Sequence, residues 1–304
     1  MRKVVSVVLT CNEHLMQHVL AIIHKKGQTA AFANGTSWEH NVAIVRNDRV
    51  LLLLFVLTFV LLRRDNDLAA GLCLGVGLFK FQFTLPFFII FALRKRWRFV
   101  TGFALTASAL AILSFVAVGS TGVLSYFRLL IAIMTHPANV SLGSAADMAT
   151  VHGFVHALLK GSANATMVLF IVVLTSIALL LFLAWRWGTP CRGTTHLDLM
   201  FAASIVGSLL VGSHMFTHDL SPLLLAMLLV ASHQPEKTER ALRATLWTTL
   251  TLFWAPPVYF LLIAWHRMYL LFPALLLFAG GTILLAEKHA DTLYARRLGA
   301  RAVS

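Results

Sequence analysis

Residues 68–93 decide the fold, and they read LAAGLCLGVGLFKFQFTLPFFIIFAL. The stretch is long enough to cross a bilayer as a helix, which takes about 20 predominantly apolar residues. It carries one lysine, Lys80, near its middle and one proline, Pro86, in its second half. A charge at the centre of a membrane costs roughly 2.5–3.5 kcal/mol on insertion scales. The stretch therefore predicts a membrane helix whose lysine faces the protein interior, where a partner or a hydrated cavity offsets that cost.

The composition of the whole chain also indicates a membrane protein. Of its 304 residues, 59% are apolar and 12% are charged, and the mean hydropathy is +0.81. A soluble domain averages about 45–50% apolar and about 25% charged residues, so an ordinary soluble protein and a disordered chain are excluded. The net charge of +13 does not indicate nucleic-acid binding, because the lysines and arginines lie in short clusters between apolar runs.

The apolar runs predict an all-α protein, a polytopic transmembrane bundle of about seven or eight membrane helices. Besides 68–93, the runs are 50–62, 99–118, 166–185, 197–213, 219–232, 242–263 and 268–286. The predicted organisation is a polar N-terminal segment (1–48), a transmembrane domain (49–286) and a charged tail (287–304). The N-terminal segment is either a cytoplasmic extension or the remnant of a longer N-terminus.

The distribution of lysine and arginine predicts the orientation of the bundle. If the basic cluster 94–98 is cytoplasmic and the spans alternate, most of the positive charges fall inside, together with the C-terminus. The segments 63–67, 119–165 and 214–218 then lie outside. Within 119–165, the spacing of apolar and polar residues predicts interfacial helices at the membrane surface rather than a mobile loop.

Polar residues collect on this predicted outer face, in two separate segments. They are Tyr126, Arg128, His136, Asn139, Asp147, His152 and His156, followed by His214, His218 and Asp219. We expect Lys80 to approach an outer cavity lined by the second group. Its Cα lies about 18 Å down its helix from the outer end, so the sequence favours a shared cavity over a direct Lys80–Asp219 salt bridge.

Metal and cofactor binding are not predicted. Two pairs of histidines, His152/His156 and His214/His218, have the spacing that places both rings on one helix face. Neither pair carries the glutamate of a His-Glu-x-x-His motif, and no set of four ligands is visible. No glycine-rich phosphate loop or catalytic serine motif is present either.

The order of the motifs resembles a known family. Residues 62–64, 68–72 and 77–86, continued by 94–98 and on to Tyr126, resemble the bacterial polyprenol-phosphate-mannose-type glycosyltransferases of family 87. So does a second patch, 213–224, around His-Asp-Leu. The resemblance covers about 50–230 and implies a GT-C class membrane enzyme. Such an enzyme transfers a hexose, here a mannose-like sugar, from a polyprenyl-phosphate donor to a hydroxyl of a lipid or glycan acceptor. It works without a cofactor on the extracytoplasmic side of the bacterial plasma membrane.

The resemblance also implies roles for particular residues. The cations offered for the donor phosphate are Lys80, Arg128 and His218, and the residues offered for the substrate cavity are Gln82, Tyr126, His214 and Asp219. GT-C enzymes usually place an acidic base in the first extracytoplasmic loop, and nothing before Val50 resembles that helix and loop. We therefore expect the family's N-terminal portion to be missing, which leaves open an incomplete or inactive member. The catalytic residue stays unassigned, with Asp219 as the candidate because it lies in a family-like motif.

Two other functions remain open from the residues alone. The chain could be a transporter or lipid flippase in which Lys80 is the intramembrane substrate or proton site. It could also be a membrane scaffold without catalytic activity. Activity with a labelled lipid-phosphate sugar separates the transferase from both alternatives.

Overall fold

The part of the chain that the structure describes is built of helices and contains no strand. This computed structural model describes residues 38–135, 147–159, 164–188, 194–212, 215, 217–233 and 240–302. Its α-helices are α1 Trp38–Arg63, α2 Asp67–Val76, α3 Phe81–Leu93, α4 Trp97–Thr135, α5 Val151–Leu158, α6 Ala165–Arg186, α7 Thr194–Val211, α8 Ser221–Ser232, α9 Arg240–Trp254, α10 Pro256–Ala264 and α11 Leu271–Ala302. Short 3₁₀ turns lie at Gly77–Lys80, Thr217–Leu220 and Met268–Leu270.

The predicted all-α membrane bundle is confirmed. By length and composition, five stretches of the described chain could cross a membrane. They are Asp67–Leu93, Trp97–Leu129, Ala165–Arg186, Thr194–Val211 and Met268–Ala290. Helices α9 and α10, bent by 73° against each other, add a sixth if they count as one broken span. Helix α8 is a shorter apolar helix, so the described residues hold five or six candidate spans where the sequence predicted about seven or eight.

Helices α2 and α4 run parallel and in backbone contact. A Cβ on Gly71 would collide with the carbonyl oxygen of Phe99, and a Cβ on Gly102 would collide with that of Leu68. The hydroxyl of Thr106 donates to the carbonyl of Leu72 at 3.0 Å. In a bilayer, where helices gain little from hydrophobic burial against each other, such close packing of small residues is a main source of association.

Helix α3, by contrast, runs antiparallel to α4. The ring of Phe91 stacks on Phe99 with centroids 4.5 Å apart, and Phe88 stacks on Phe103 at 4.2 Å. Since α2 is parallel to α4 and α3 is antiparallel to it, α2 and α3 form a helical hairpin. The Gly77–Lys80 turn is the tip of this hairpin.

The hairpin corrects the predicted topology. The side chains of Arg96 and Asp67 form an ion pair at 3.2 Å, so the beginnings of α2 and α4 lie at the same end of the bundle. The sequence placed 63–67 and 94–98 on opposite sides, and this was wrong. Residues 67–93 are long and apolar enough to cross a membrane once. In the structure they instead enter the bundle and turn back, so that both ends of the run lie beside the Arg96–Asp67 pair.

Further contacts gather positive charge at that end, which we call the basic end. Arg63 pairs with Asp198 at 3.5 Å, and Arg186 pairs with Glu287 at 2.5 Å. These pairs place the end of α1, the end of α6, the beginning of α7 and the Glu287 region of α11 beside the Arg96–Asp67 pair. The guanidinium of Arg96 also lies 5.9 Å from the centroid of the Trp187 ring, just after α6. The basic end is therefore one face of the bundle, at which the ends of several helices meet.

An aromatic cluster fills the core between the hairpin and its neighbours. The ring of Phe87 on α3 lies 5.2 Å from Phe55 of α1 and 5.0 Å from Phe201 of α7. Phe91 continues the cluster to Trp187, whose indole N–H donates to a serine hydroxyl of α7. All four phenylalanines are fully buried. Edge-to-face and stacked rings of this kind fix the hairpin against α1 and α7.

The described part of the segment 119–165 is helical in two places, as predicted, while the position of these helices at the membrane surface stays a prediction. The first is the second half of α4, which continues beyond a kink at Gly119, where φ is +74°. The second is α5, whose Phe154 stacks on Phe272 at 4.7 Å and whose valines are buried. Residues 136–146 and 160–163 of this segment lie outside the described residues.

The corrected topology can be tested by cysteine labelling. In a background without native cysteines, Arg64→Cys and Arg98→Cys should react alike with a membrane-impermeant thiol reagent in intact cells. Both residues are exposed at the basic end. Trp265→Cys, exposed at the opposite end, should show the reverse behaviour. Labelling of position 64 together with 265, but not with 98, would mean that residues 67–93 cross the membrane once.

Candidate functional site

A buried ion pair lies at the tip of the hairpin. Lys80, the last residue of the Gly77–Lys80 turn, donates from Nζ to Oδ1 of Asp219 in the Thr217–Leu220 turn. The two side chains are only 15% and 3% exposed. Either charge alone would be costly at this depth, and the pair offsets part of that cost.

The pair forms because two membrane helices begin at half depth. Helix α8 has 12 residues and so is about 18 Å long, and it ends at the basic end. Helix α3 has 13 residues and leads from Lys80 back to the same end. Asp219 therefore does not lie at the far surface, as the sequence suggested, but at the depth of Lys80. The direct salt bridge that the sequence disfavoured is present for this reason.

Thr84 holds the turn that presents Lys80. Its hydroxyl lies 3.3 Å from the carbonyl oxygens of both Gly77 and Lys80, to which it can donate. Its methyl group lies so close to Gly77 that a Cβ there would collide with it. Lys80 itself has a non-helical backbone, with φ −120° and ψ 61°. The break between α2 and α3 is therefore built from local sequence, with glycine at its start and threonine closing it.

The other predicted site residues fall into three groups. Gln82 is half-buried, two residues from Lys80. His214 lies outside the described residues, and His218 is described only in its backbone, next to Asp219. Tyr126 and Arg128 are exposed on α4 beyond its kink, and the described chain shows no ion pair or hydrogen bond from either to Lys80 or Asp219. The structure thus joins Lys80 to Asp219 but does not bring Arg128 to them.

The histidines of α5 do not form a metal centre with their described neighbours. The rings of His152 and His156 have centroids 6.3 Å apart. Within the described ranges, no group of three or more His, Cys, Asp or Glu side chains is arranged to hold a metal ion. A separate contact at the same end joins His266 to Asp147 at 3.0 Å.

A second buried carboxylate, which the sequence analysis missed, lies at the basic end. Asp198 is fully buried on α7, with Arg63 of α1 at 3.5 Å and Nε2 of His233, just after α8, at 3.2 Å. Three helix ends are therefore tied to one carboxylate. In the sequence, Asp198 is only an acidic residue near the start of an apolar run. Its partners Arg63 and His233 lie 135 and 35 positions away, so no local pattern could connect them with it.

This cluster predicts a pH dependence of stability. The Asp198 carboxylate, 3.2 Å from Nε2 of His233, raises the pKa of that histidine above its usual 6.5, although burial opposes the shift. Protonated His233 is thus favoured by folding. Its contribution to the stability of the fold is complete below the pKa of the unfolded state. That contribution is lost as the pH rises through the raised pKa of the folded state. We expect the melting temperature in detergent to fall as the pH rises above the usual histidine pKa of about 6.5. His233→Gln should flatten that part of the profile, and an unchanged profile would contradict the assignment.

The Lys80–Asp219 pair predicts non-additive mutations. Lys80→Met leaves a buried carboxylate without its cation, and Asp219→Leu leaves the ammonium. Each single variant should lose about 3–5 kcal/mol of stability. The double variant Lys80→Met/Asp219→Leu replaces the pair by apolar side chains and should recover most of that loss. Additive losses in a double-mutant cycle of thermal stability would show that the two charges do not interact.

The fold and the buried pair together define a class, the polytopic helical membrane proteins that keep a paired charge at half depth. The family model of Glycosyltransferase family 87 matches residues 6–216, more than half of the chain, and the protein belongs to this family. It is therefore a glycosyltransferase of the membrane type, as the resemblance implied. The match includes Lys80 and ends just before Asp219. No curated protein and no solved structure matches the chain.

Proposed function

We propose that the protein transfers a hexose, of the mannose type, from a polyprenyl-phosphate donor to a hydroxyl of a lipid or glycan acceptor. The observation that carries this proposal is the Lys80–Asp219 pair, buried at half depth in a membrane glycosyltransferase. A cation at that depth can meet the phosphate of a lipid whose chain lies between the helices. A soluble nucleotide-sugar donor would have no such route.

The proposed reaction is a displacement at the anomeric carbon of the sugar. The acceptor oxygen forms the new bond to that carbon while the bond from carbon to the phosphate oxygen breaks. The polyprenyl phosphate leaves with the bonding electrons, and the proton of the acceptor hydroxyl passes to a base. Lys80 stabilises the charge that develops on the departing oxygen. Asp219 is the candidate base, because a donor phosphate that binds Lys80 takes over part of its pairing, so that the carboxylate can accept the proton.

The depth of the pair supports transfer on the side opposite the basic end. Lys80 lies one length of α3, about 20 Å, from the basic end. The hydrocarbon core is about 30 Å thick, so the pair lies at its middle or a little beyond, away from the basic end. Positive charge favours the cytoplasmic side. We therefore place the basic end and the C-terminus in the cytoplasm of a bacterium and the reaction on the outer side of its plasma membrane.

The role of Lys80 is tested by donor binding. In nanodiscs, Lys80→Met/Asp219→Leu should bind a labelled polyprenyl-phosphate hexose at least about tenfold more weakly than the unmodified chain, because a charge-assisted hydrogen bond contributes about 1.5–3 kcal/mol. Lys95→Met removes the same charge from the exposed turn after α3 and should bind normally.

Sugar transfer to a lipid or glycan acceptor should follow the same order among these variants. If the double variant and the unmodified chain bind the donor with equal affinity, the donor phosphate does not bind at Lys80. Counter-flow of the donor across liposomes without sugar transfer would instead support a flippase.

A further inference from the structure

The contact between His233 and Asp198 is an ion pair only when the histidine is protonated. Nε2 of the ring lies 3.2 Å from Oδ2 of Asp198, whose side chain is fully buried. Nδ1 lies 2.9 Å from the carbonyl oxygen of Leu229, so the ring is also held to its own helix, α8. Whichever nitrogen keeps the remaining proton, deprotonation removes the positive charge that faces the carboxylate. The attachment of α8 to Asp198 is therefore stronger in the protonated state.

Helix α8 connects this histidine with Asp219. Asp219 lies in the turn directly before the helix, and His233 is the residue directly after it. The helix has 12 residues and is about 18 Å long. Rigid secondary structure of this kind can carry energetic coupling from one site to another. A shift of α8 at its His233 end therefore changes the position of Asp219 at the other end.

The surroundings of Asp198 are held by contacts that need no histidine proton. Helix α8 packs against α7 and α1, and the charged groups that these helices present to His233 are Asp198 and Arg63. The guanidinium of Arg63 lies 3.5 Å from Asp198 and stays charged at every pH at which proteins fold. On α7, Phe201 packs against Phe87 of the hairpin, with centroids 5.0 Å apart. Of these elements, α8 is the one whose attachment depends on the protonation of His233.

We propose that His233 and Asp198 are positioning residues, which hold α8 so that Asp219 meets Lys80 when the histidine is protonated. Deprotonation weakens this attachment and loosens the contact between the two charges at the hairpin tip. The inference rests on the proposed function, in which Asp219 is the candidate base. Because the basic end is proposed to face the cytoplasm, sugar transfer on the outer side would then respond to the pH of the cytoplasm. Histidine is the side chain whose charge ordinarily changes in that pH range.

The coupling is reciprocal, so it can be measured at His233. If protonation favours the contact at the hairpin tip, that contact favours protonation by the same factor. NMR of the chain in nanodiscs, with histidine labelled with ¹³C at Cε1, follows the titration of His233, and the loss of its signal in His233→Gln identifies it. In Lys80→Met/Asp219→Leu the midpoint should fall by at least about 0.3 pH unit, a twofold loss of proton affinity. The removed pair is neutral and lies one length of α8 away, so its direct field is too weak for such a shift.

The unmodified chain offers the converse measurement, which does not depend on the folding of the double variant. The backbone amide signal of Asp219 should change with pH along the titration curve of His233, and this change should be absent in His233→Gln. The matched control is His289→Gln, because Nδ1 of His289 lies 3.0 Å from the carbonyl oxygen of the residue four positions earlier, as in His233. That variant should leave both titration curves in place.

A purely structural role of His233 at the basic end would move neither signal. An unchanged His233 midpoint in the double variant would therefore overturn the inference, and so would an Asp219 amide that does not follow His233. Neither measurement uses a sugar donor. A chain that shows the coupling but transfers no sugar would contradict the proposed function alone, whereas sugar transfer without the coupling would contradict this inference alone.

Discussion

The buried pairing of Lys80 with Asp219 is the constraint on which the rest of this structure depends. A bilayer offers no water to either charge, so each must meet its partner at half depth. That meeting requires two chain breaks inside the membrane, at Gly77–Lys80 and at Thr217–Leu220. The half-length helices α3 and α8 follow from those breaks, and both lead back to the basic end.

Packing around the hairpin holds these breaks in place. Gly71 and Gly102 allow α2 and α4 to approach to backbone contact, and the rings around Phe87 fix α3 against α1 and α7. At the basic end, Asp198 ties together the ends of three helices. The charged residues of this protein thus have two distinct tasks. Among the described residues, those at the basic end join helix ends, and Lys80 and Asp219 join the hairpin tip to the Thr217–Leu220 turn.

The Lys80–Asp219 pair is the feature on which the proposed donor site depends, because both side chains are buried inside a membrane glycosyltransferase. Membership of family 87 supplies the reaction type. Asp219, just beyond the part matched to the family, is the carboxylate that the fold brings to Lys80.

The sequence by itself determined the membrane class, the helical fold, the family and the interior position of Lys80, because hydropathy, charge and motif order are local properties. It could not determine that residues 67–93 turn back, since their length and composition suit a single crossing equally well. It also counted Arg128 with the site, whereas the structure leaves that residue exposed on α4. Only the tertiary structure decided these points. The contact that defines the site joins residues 139 positions apart, and their depths depend on where two helices begin.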